Sequence, residues 1–181
     1  KRAQKATPFS TVFGITPTEN GGVKRMAQIA KRLRPRVVAL VDGDAAGDDY
    51  AKDIASTPNL AEAIIQWPKA WTIEDVVGWI LEAGGKDGIA AAAASLEETW
   101  PIDSTATLVA LLKEKNDAKL GKRGLKEDVV AHDAIVANLT AASLTRVGLL
   151  LDALTSSALA SEHSHYAVED QGPPRRVRFV P

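Results

Sequence analysis

The 181-residue chain contains no cysteine and only three histidines. Without thiols there is neither a disulfide framework nor a thiolate metal site. His132, His163 and His165 are too few and too scattered for a zinc centre, and solvent-facing or capping roles account for them. No apolar run is long enough to span a bilayer, and the N-terminus lacks the charged, apolar and small-residue order of a secretion signal. These absences predict a cytoplasmic protein that does not enter a membrane. Also missing are the glycine-lysine-serine or -threonine phosphate loop of nucleotide hydrolases, a serine, histidine and acid set with nucleophile spacing, and any repeat of fixed period. Gly21-Gly22 is not a dinucleotide fingerprint.

Net charge is −1, which argues against nucleic acid only if charge is evenly spread. It is not. Residues 1 to 36 hold nine Lys or Arg and a single acid, Glu19, whereas residues 37 to 75 hold eight acids and two lysines. A basic surface beside an acidic, cation-collecting pocket suits a phosphodiester substrate. Taken singly, Lys24, Arg25, Lys31 and Arg32 read as the solvated face of an amphipathic helix. More basic residues follow between Lys113 and Lys126 and at Arg175, Arg176 and Arg178.

The apolar run Val37 to Val41 drives into Asp42-Gly43-Asp44. Such a run reads as a strand buried on both faces, with the carboxylates where it leaves the sheet, the edge at which open α/β sheets gather ligands. On a continuing strand Asp42 and Asp44 would point to one face, and like charges held that close repel unless a cation sits between them. Hard oxygen ligands favour Mg²⁺ or Mn²⁺. Asp-Gly-Asp also reads as a plain turn in which Asp44 caps the next helix.

Around this motif the spacing predicts a strand over 10–15, a helix over 23–33 stopped by Pro35, a helix over 47–56 and a strand over 61–67 ended by Pro68. Strand, helix, strand implies parallel pairing with a right-handed crossover. After Pro68 the pattern turns helical, over 73–81, 87–99, 104–115, 125–138 and 141–161. A terminal hairpin or docked edge strand follows around Gly172-Pro173-Pro174. Three regions are expected: an α/β core over 1–69, a helical subdomain over 70–163 that includes a basic loop at 119–124, and the C-terminal hairpin over 164–181. Leu144, Val147, Leu151 and Leu154 form an apolar helix face that suits either a homodimer contact or ordinary core.

Two further constellations carry chemistry. Trp71-Thr72-Ile73-Glu74-Asp75 follows the next strand and so falls at the same carboxyl edge, where Glu74 is placed to help hold a second cation; as helix-start residues, Glu74 and Asp75 need no special role. Gly121-Lys122-Arg123-Gly124-Leu125-Lys126-Glu127-Asp128 is a basic loop entering a helix, a setting that receives phosphate or simply connects two elements.

Val37 to Gly47 resembles the Asp-x-Asp motif of Toprim domains, the metal-binding fold of topoisomerases, bacterial primases and overcoming-lysogenization-defect (OLD) nucleases. The Asp-Gly-Asp-Ala-Ala-Gly wording, the Thr-Ile-Glu-Asp segment and the inserted helices ending in Lys-Arg-Gly-Leu-Lys-Glu look most like the C-terminal nuclease region of the OLD group, in a bacterial class with an inserted helical domain. The resemblance runs from Thr11 to about Leu139. It implies a Toprim-like doubly wound parallel sheet with a helical subdomain. It also implies Asp42, Asp44 and Glu74 as metal ligands and Lys126 as a stabiliser of transition-state charge. One departure matters: Toprim domains carry a glutamate, usually before glycine, at the end of their first strand, and no Glu-Gly pair exists here. The residues before Asp42 correspond to the family's second strand and helix, so the first strand-helix unit with its glutamate is expected upstream, as is the family's N-terminal ATPase.

The reading that follows is a Mg²⁺- or Mn²⁺-dependent DNA endonuclease, the catalytic region of a larger ATPase-nuclease. Two ions share Asp42, with Ca²⁺ as an inert substitute. Asp44 and Glu74 complete the two shells, Lys126 neutralises developing charge, and Lys122 or Arg123 holds the backbone phosphate. Two alternatives stand beside it: a non-cleaving Toprim module of primase or recombination-mediator type, and an acidic-pocket phosphotransfer domain with an aspartate nucleophile.

Overall fold

The computed structural model of the chain describes residues 18, 22–94, 96, 102–114, 125 and 129–181. The expected strand over 10–15, the loop over 119–124 and the residues Lys122, Arg123 and Lys126 lie outside the described residues. In chain order the described elements are α1 (Val23–Leu33), β1 (Val38–Val41), α2 (Ala45–Ala55), β2 (Ala63–Gln66), α3 (Ile73–Glu82), α4 (Gly85–Ala94), α5 (Thr105–Lys113), α6 (Val129–Ala137), α7 (Ala141–Ala158), β3 (Tyr166–Asp170) and β4 (Arg175–Phe179). The protein is therefore mixed α/β. It divides into two compact units, the described residues of Lys1–Ala70 with Leu150–Pro181, and those of Trp71–Leu149.

The first unit is built on a four-stranded sheet of order β1-β2-β4-β3. β1, β2 and β4 run parallel, with Val41 opposite Gln66 and Gln66 opposite Arg178. β3 runs antiparallel to β4, with a bulge between Val168 and Asp170. The sheet is thus mixed, its parallel strands joined by the expected C-terminal hairpin. The hairpin around Gly172 to Pro174 turns the chain straight back on itself, so its two strands pair antiparallel while β4 docks parallel on β2.

The period-two alternation of the strands decides which side chains share a face. Ala39, Val41 and Ile64 face Ala27 of α1 and Ala51 and Ile54 of α2 in one apolar cluster. Ile54 and Ile64 are fully buried, each worth about 1.5–3 kcal/mol relative to exposure. Lys24 of α1 reaches Asp53 of α2 at 2.6 Å, while Arg25 and Arg32 stay exposed, so the basic face of α1 is in the main solvated. On the opposite face Val177 and Phe179 are buried, and Trp67 meets Phe179 edge-on at 6.1 Å. The end of α7 is tied down by two guanidiniums, with Arg36 donating to the Ala158 carbonyl at 3.2 Å and Arg175 to that of Ser157.

The second unit packs helices around Leu81, Leu96, Ile102, Leu108, Leu112, Leu125, Ala131 and Ile135. α3 and α5 come close at Gly78, where an added Cβ would lie 2.5 Å from a methyl of Val109. Ser104 caps α5 by accepting the Thr107 N–H at 3.1 Å. α7 contributes residues to both units: Leu150, Ala153 and Leu154 are buried, and Leu144 is exposed. Among the described residues no single helix is long and apolar enough to cross a membrane; α6 and α7 reach that length and apolarity only together, across a bend of 102°.

Candidate functional site

Strand β1 ends at Val41, and Asp42, Gly43 and Asp44 form its exit. The carbonyls of this exit are held by the loop after β2, where Trp67 N–H donates to Val41 at 3.2 Å and Ala70 N–H to Gly43 at 2.8 Å. The two backbones pass so closely that a Cβ on residue 43 would stand 1.9 Å from the Pro68 carbonyl oxygen. Only glycine fits there. A turn later the same constraint returns at Gly47, because a Cβ there would stand 1.9 Å from the Asp42 carbonyl oxygen. The strand does not continue through Asp44. That residue has extended backbone angles and is the N-cap of α2, its Oδ1 accepting the Gly47 N–H at 2.8 Å. A cap of this kind contributes about 1 kcal/mol. Helix α2 accordingly begins at Ala45, two residues before the position that periodicity predicted, since the cap and not the apolar spacing sets its start.

The turn thus accounts for Gly43, Asp44 and Gly47 and leaves Asp42, half-buried, at the mouth of the strand. Asp48 sits in the first turn of α2, where its Oδ1 accepts from Gln66 Nε2 at 3.0 Å.

Gln66 is the feature that sequence reasoning missed. It ends β2, 1 % exposed, in the middle of the sheet. A buried primary amide is costly unless both of its ends are paired, and here they are. Its oxygen accepts from Arg176 Nη2 at 3.1 Å and Arg178 Nη2 at 3.4 Å. Its nitrogen faces Asp48 and, at 3.5 Å, the Asp42 carbonyl. Arg178 also donates to the Trp67 carbonyl at 3.0 Å and pairs with Glu169. A polar chain therefore crosses the sheet at its carboxyl edge, from the Asp42 turn through Gln66 to two arginines. The available signals were a glutamine closing an apolar strand and the alternation Arg176, Val177, Arg178, Phe179, which puts both arginines on one face.

Glu74 and Asp75 belong to the helical unit. Glu74 is buried, at 6 % exposure, in the first turn of α3. Asp75 closes a capping box, accepting from Thr72 N–H at 2.8 Å, and both of its oxygens receive Lys113 Nζ, at 2.6 and 2.7 Å. Burial raises the Asp75 carboxyl, but the bonds from Lys113 and Thr72 outweigh it and hold the group below its ordinary value.

The structure thus brings Asp42, Asp44 and Asp48 into one turn and assigns Glu74 to the other unit. Among the described residues no three Asp, Glu or His side chains converge to hold a metal ion. The donor set is chemically suited to Mg²⁺ or Mn²⁺, but the described residues alone do not complete even one coordination shell. Compared with known proteins, the chain matches no protein-family model, no curated protein and no solved structure.

Proposed function

We propose that the chain is a Toprim-like region of a divalent-cation-dependent DNA nuclease. The observation that carries this reading is the Asp42 turn, a strand-to-helix exit at the carboxyl edge of a parallel pair of strands, set by two glycines that admit no other residue. Such an exit is where α/β sheets hold phosphorylated and metal-bound ligands. A rigid backbone is also what a ligand site needs if its carboxylates are to stay in place. Support comes as well from Arg178 of β4 at the same edge of the sheet, two strands from Val41 in the register, with Arg176 on the same face two residues deeper. In this reading Asp42 and Asp44 supply oxygen donors, and further acids, Glu74 and an upstream glutamate, complete the shells. Lys122, Arg123 and Lys126 serve the phosphate.

A second reading, a Toprim module that binds nucleic acid without cutting it, is favoured by the absence of three convergent ligands among the described residues. One experiment separates the two. The full-length protein is incubated with plasmid in Mn²⁺, in Ca²⁺ and in EDTA, alongside its Asp42→Ala variant. Cleavage in Mn²⁺ alone, abolished in the variant while its melting midpoint is kept, is the expected result. DNA binding without cleavage selects the second reading, and cleavage undiminished by Asp42→Ala refutes the role of Asp42.

A further inference from the structure

Strand β4 lies inside the sheet, between β2 and β3, yet three of its five residues are arginine. Val177 and Phe179 bury on one face, so Arg176 and Arg178 emerge together on the other. Their side chains are 32 % and 21 % exposed, open enough to be reached and shielded enough to make a charge-assisted bond strong. The bulge in β3 sets two residues, Glu169 and Asp170, against Arg176 and re-aims Glu169 toward the pair.

The two cations are not equally satisfied. Arg178 has the carboxylate of Glu169, the carbonyl of Trp67 and the amide of Gln66. Arg176 shares the same Gln66 oxygen and stands 3.9 Å from Glu169, the long limit of an ion pair. Its Nε is buried with no acceptor among the described residues. Asp170 does not relieve it, because its Oδ1 accepts from Gly172 N–H at 2.8 Å. One carboxylate therefore serves two guanidiniums, and because the buried Nε of Arg176 is out of a ligand's reach, the donor capacity it can offer lies in the terminal nitrogens of a side chain that is 32 % exposed.

Gln66 fixes where that capacity sits. Its oxygen faces guanidinium donors and its nitrogen faces acceptors, so a flipped amide would set donor against donor and acceptor against acceptor. Arg178 is thereby locked in register with Val41 at the Asp42 turn, two strand spacings or about 10 Å away, with Arg176 on the same face two residues deeper, level with Ala39.

We propose that Arg176, with Arg178 fixed beside it, is a phosphodiester-binding site that seats a DNA backbone next to the Asp42 turn. The choice of DNA rests on the nuclease reading; the site itself rests on the uneven pairing of the two arginines. A guanidinium fork matches two phosphate oxygens at once, which an ammonium group does not.

The test is free of metal, so that it does not depend on cleavage. Binding of a fluorescein-labelled DNA duplex to the full-length protein is followed by anisotropy in EDTA over a range of salt. Arg176→Gln is expected to weaken binding about tenfold and to lower the slope of log affinity against log salt by about one. Arg176→Lys restores the slope but not the whole affinity. Binding by folded Arg176→Gln within twofold of the parent overturns the proposal. If that variant does not fold, Arg176→Lys decides, a loss of threefold or more supporting the site and no loss overturning it. Inorganic phosphate that displaces DNA at fixed ionic strength from the parent, but not from Arg176→Gln, places the backbone contact at Arg176 and supports the site, whereas Arg176-dependent phosphate uptake by calorimetry with no Arg176-dependent DNA binding overturns the DNA assignment in favour of free phosphate. Arg176-dependent binding with no Mn²⁺-dependent cleavage leaves this site standing and removes the nuclease reading instead.

Discussion

Two acid-rich helix starts in this chain look alike in sequence and are built by different forces. At the start of α2, Asp42-Gly43-Asp44 is shaped by backbone clearance, with carbonyl oxygens of Pro68 and Asp42 occupying the space that any Cβ at 43 or 47 would need. At the start of α3, Thr72 to Asp75 is shaped by side chains, through a capping box and the ion pair with Lys113. Backbone against backbone leaves no adjustable element, whereas side chains can give. The acidic turn of the sheet unit is therefore rigid in a way that the helical one is not, and rigidity is what sets a candidate ligand site apart from a well-capped helix.

The largest expected effect breaks this comparison directly. Gly43→Ala and Gly47→Ala force main-chain movement, and each is expected to cost about 3 kcal/mol or more. Gly78→Ala, in the helical unit, meets only the methyl of Val109 and gains about 1 kcal/mol of helix propensity, so its net loss is expected at about 1 kcal/mol. Urea denaturation of the three variants reads the difference. Equal losses at Gly43 and Gly78 would show that clearance at the acidic turn is not what fixes it.

A smaller effect separates the two roles given to Asp44. Asp44→Ala removes the bond to Gly47 N–H and is expected to cost about 1 kcal/mol, while Asp44→Asn keeps a capping oxygen and leaves the melting midpoint nearly unchanged. If Asp44 also ligates an ion, Asn loses Mn²⁺ uptake by calorimetry without losing stability. Uptake equal to the parent's would confine Asp44 to the cap.

How far the sequence led depends on which force was acting. Apolar periodicity located β1, β2, α1 and α3 to within a few residues, because burial on one face writes itself into spacing. It misplaced the start of α2, since a single carboxylate bond to Gly47 fixes that boundary and leaves no period behind. The clash that requires glycine at 43 depends on Pro68, in the loop beyond β2, and no local pattern encodes it. Gln66 was passed over for the same reason. Its partners, Asp48, Arg176 and Arg178, come from two other elements and meet only when β4 docks on β2. Glu74 follows β2 as the spacing predicts, but it starts a helix of the second unit, so its place beside Asp42 belongs to the proposal.

The smallest effect sharpens the other half of the comparison, because a helix start made of charges must respond to pH. Desolvation raises the Asp75 carboxyl, yet Lys113 and the Thr72 N–H together bring it below its ordinary value of 3.8. A carboxyl depressed by folding adds stability that is complete above the unfolded value and disappears as pH falls through the folded one, so the window lies from about 3.8 downward. Partly exposed ion pairs contribute about 0.2–1 kcal/mol, which sets the size of the change. Asp103 is also held below its ordinary value, by hydroxyls of Thr107 and Ser104, and titrates in the same acid range. Lys113→Met leaves Asp103 its partners, so the difference between parent and variant isolates the Asp75 contribution. Urea midpoints measured from pH 6 down to about pH 2.5 should converge as the acid is protonated. A gap that persists unchanged across that range would mean that Lys113 steadies α3 by packing its stem and not through its charge.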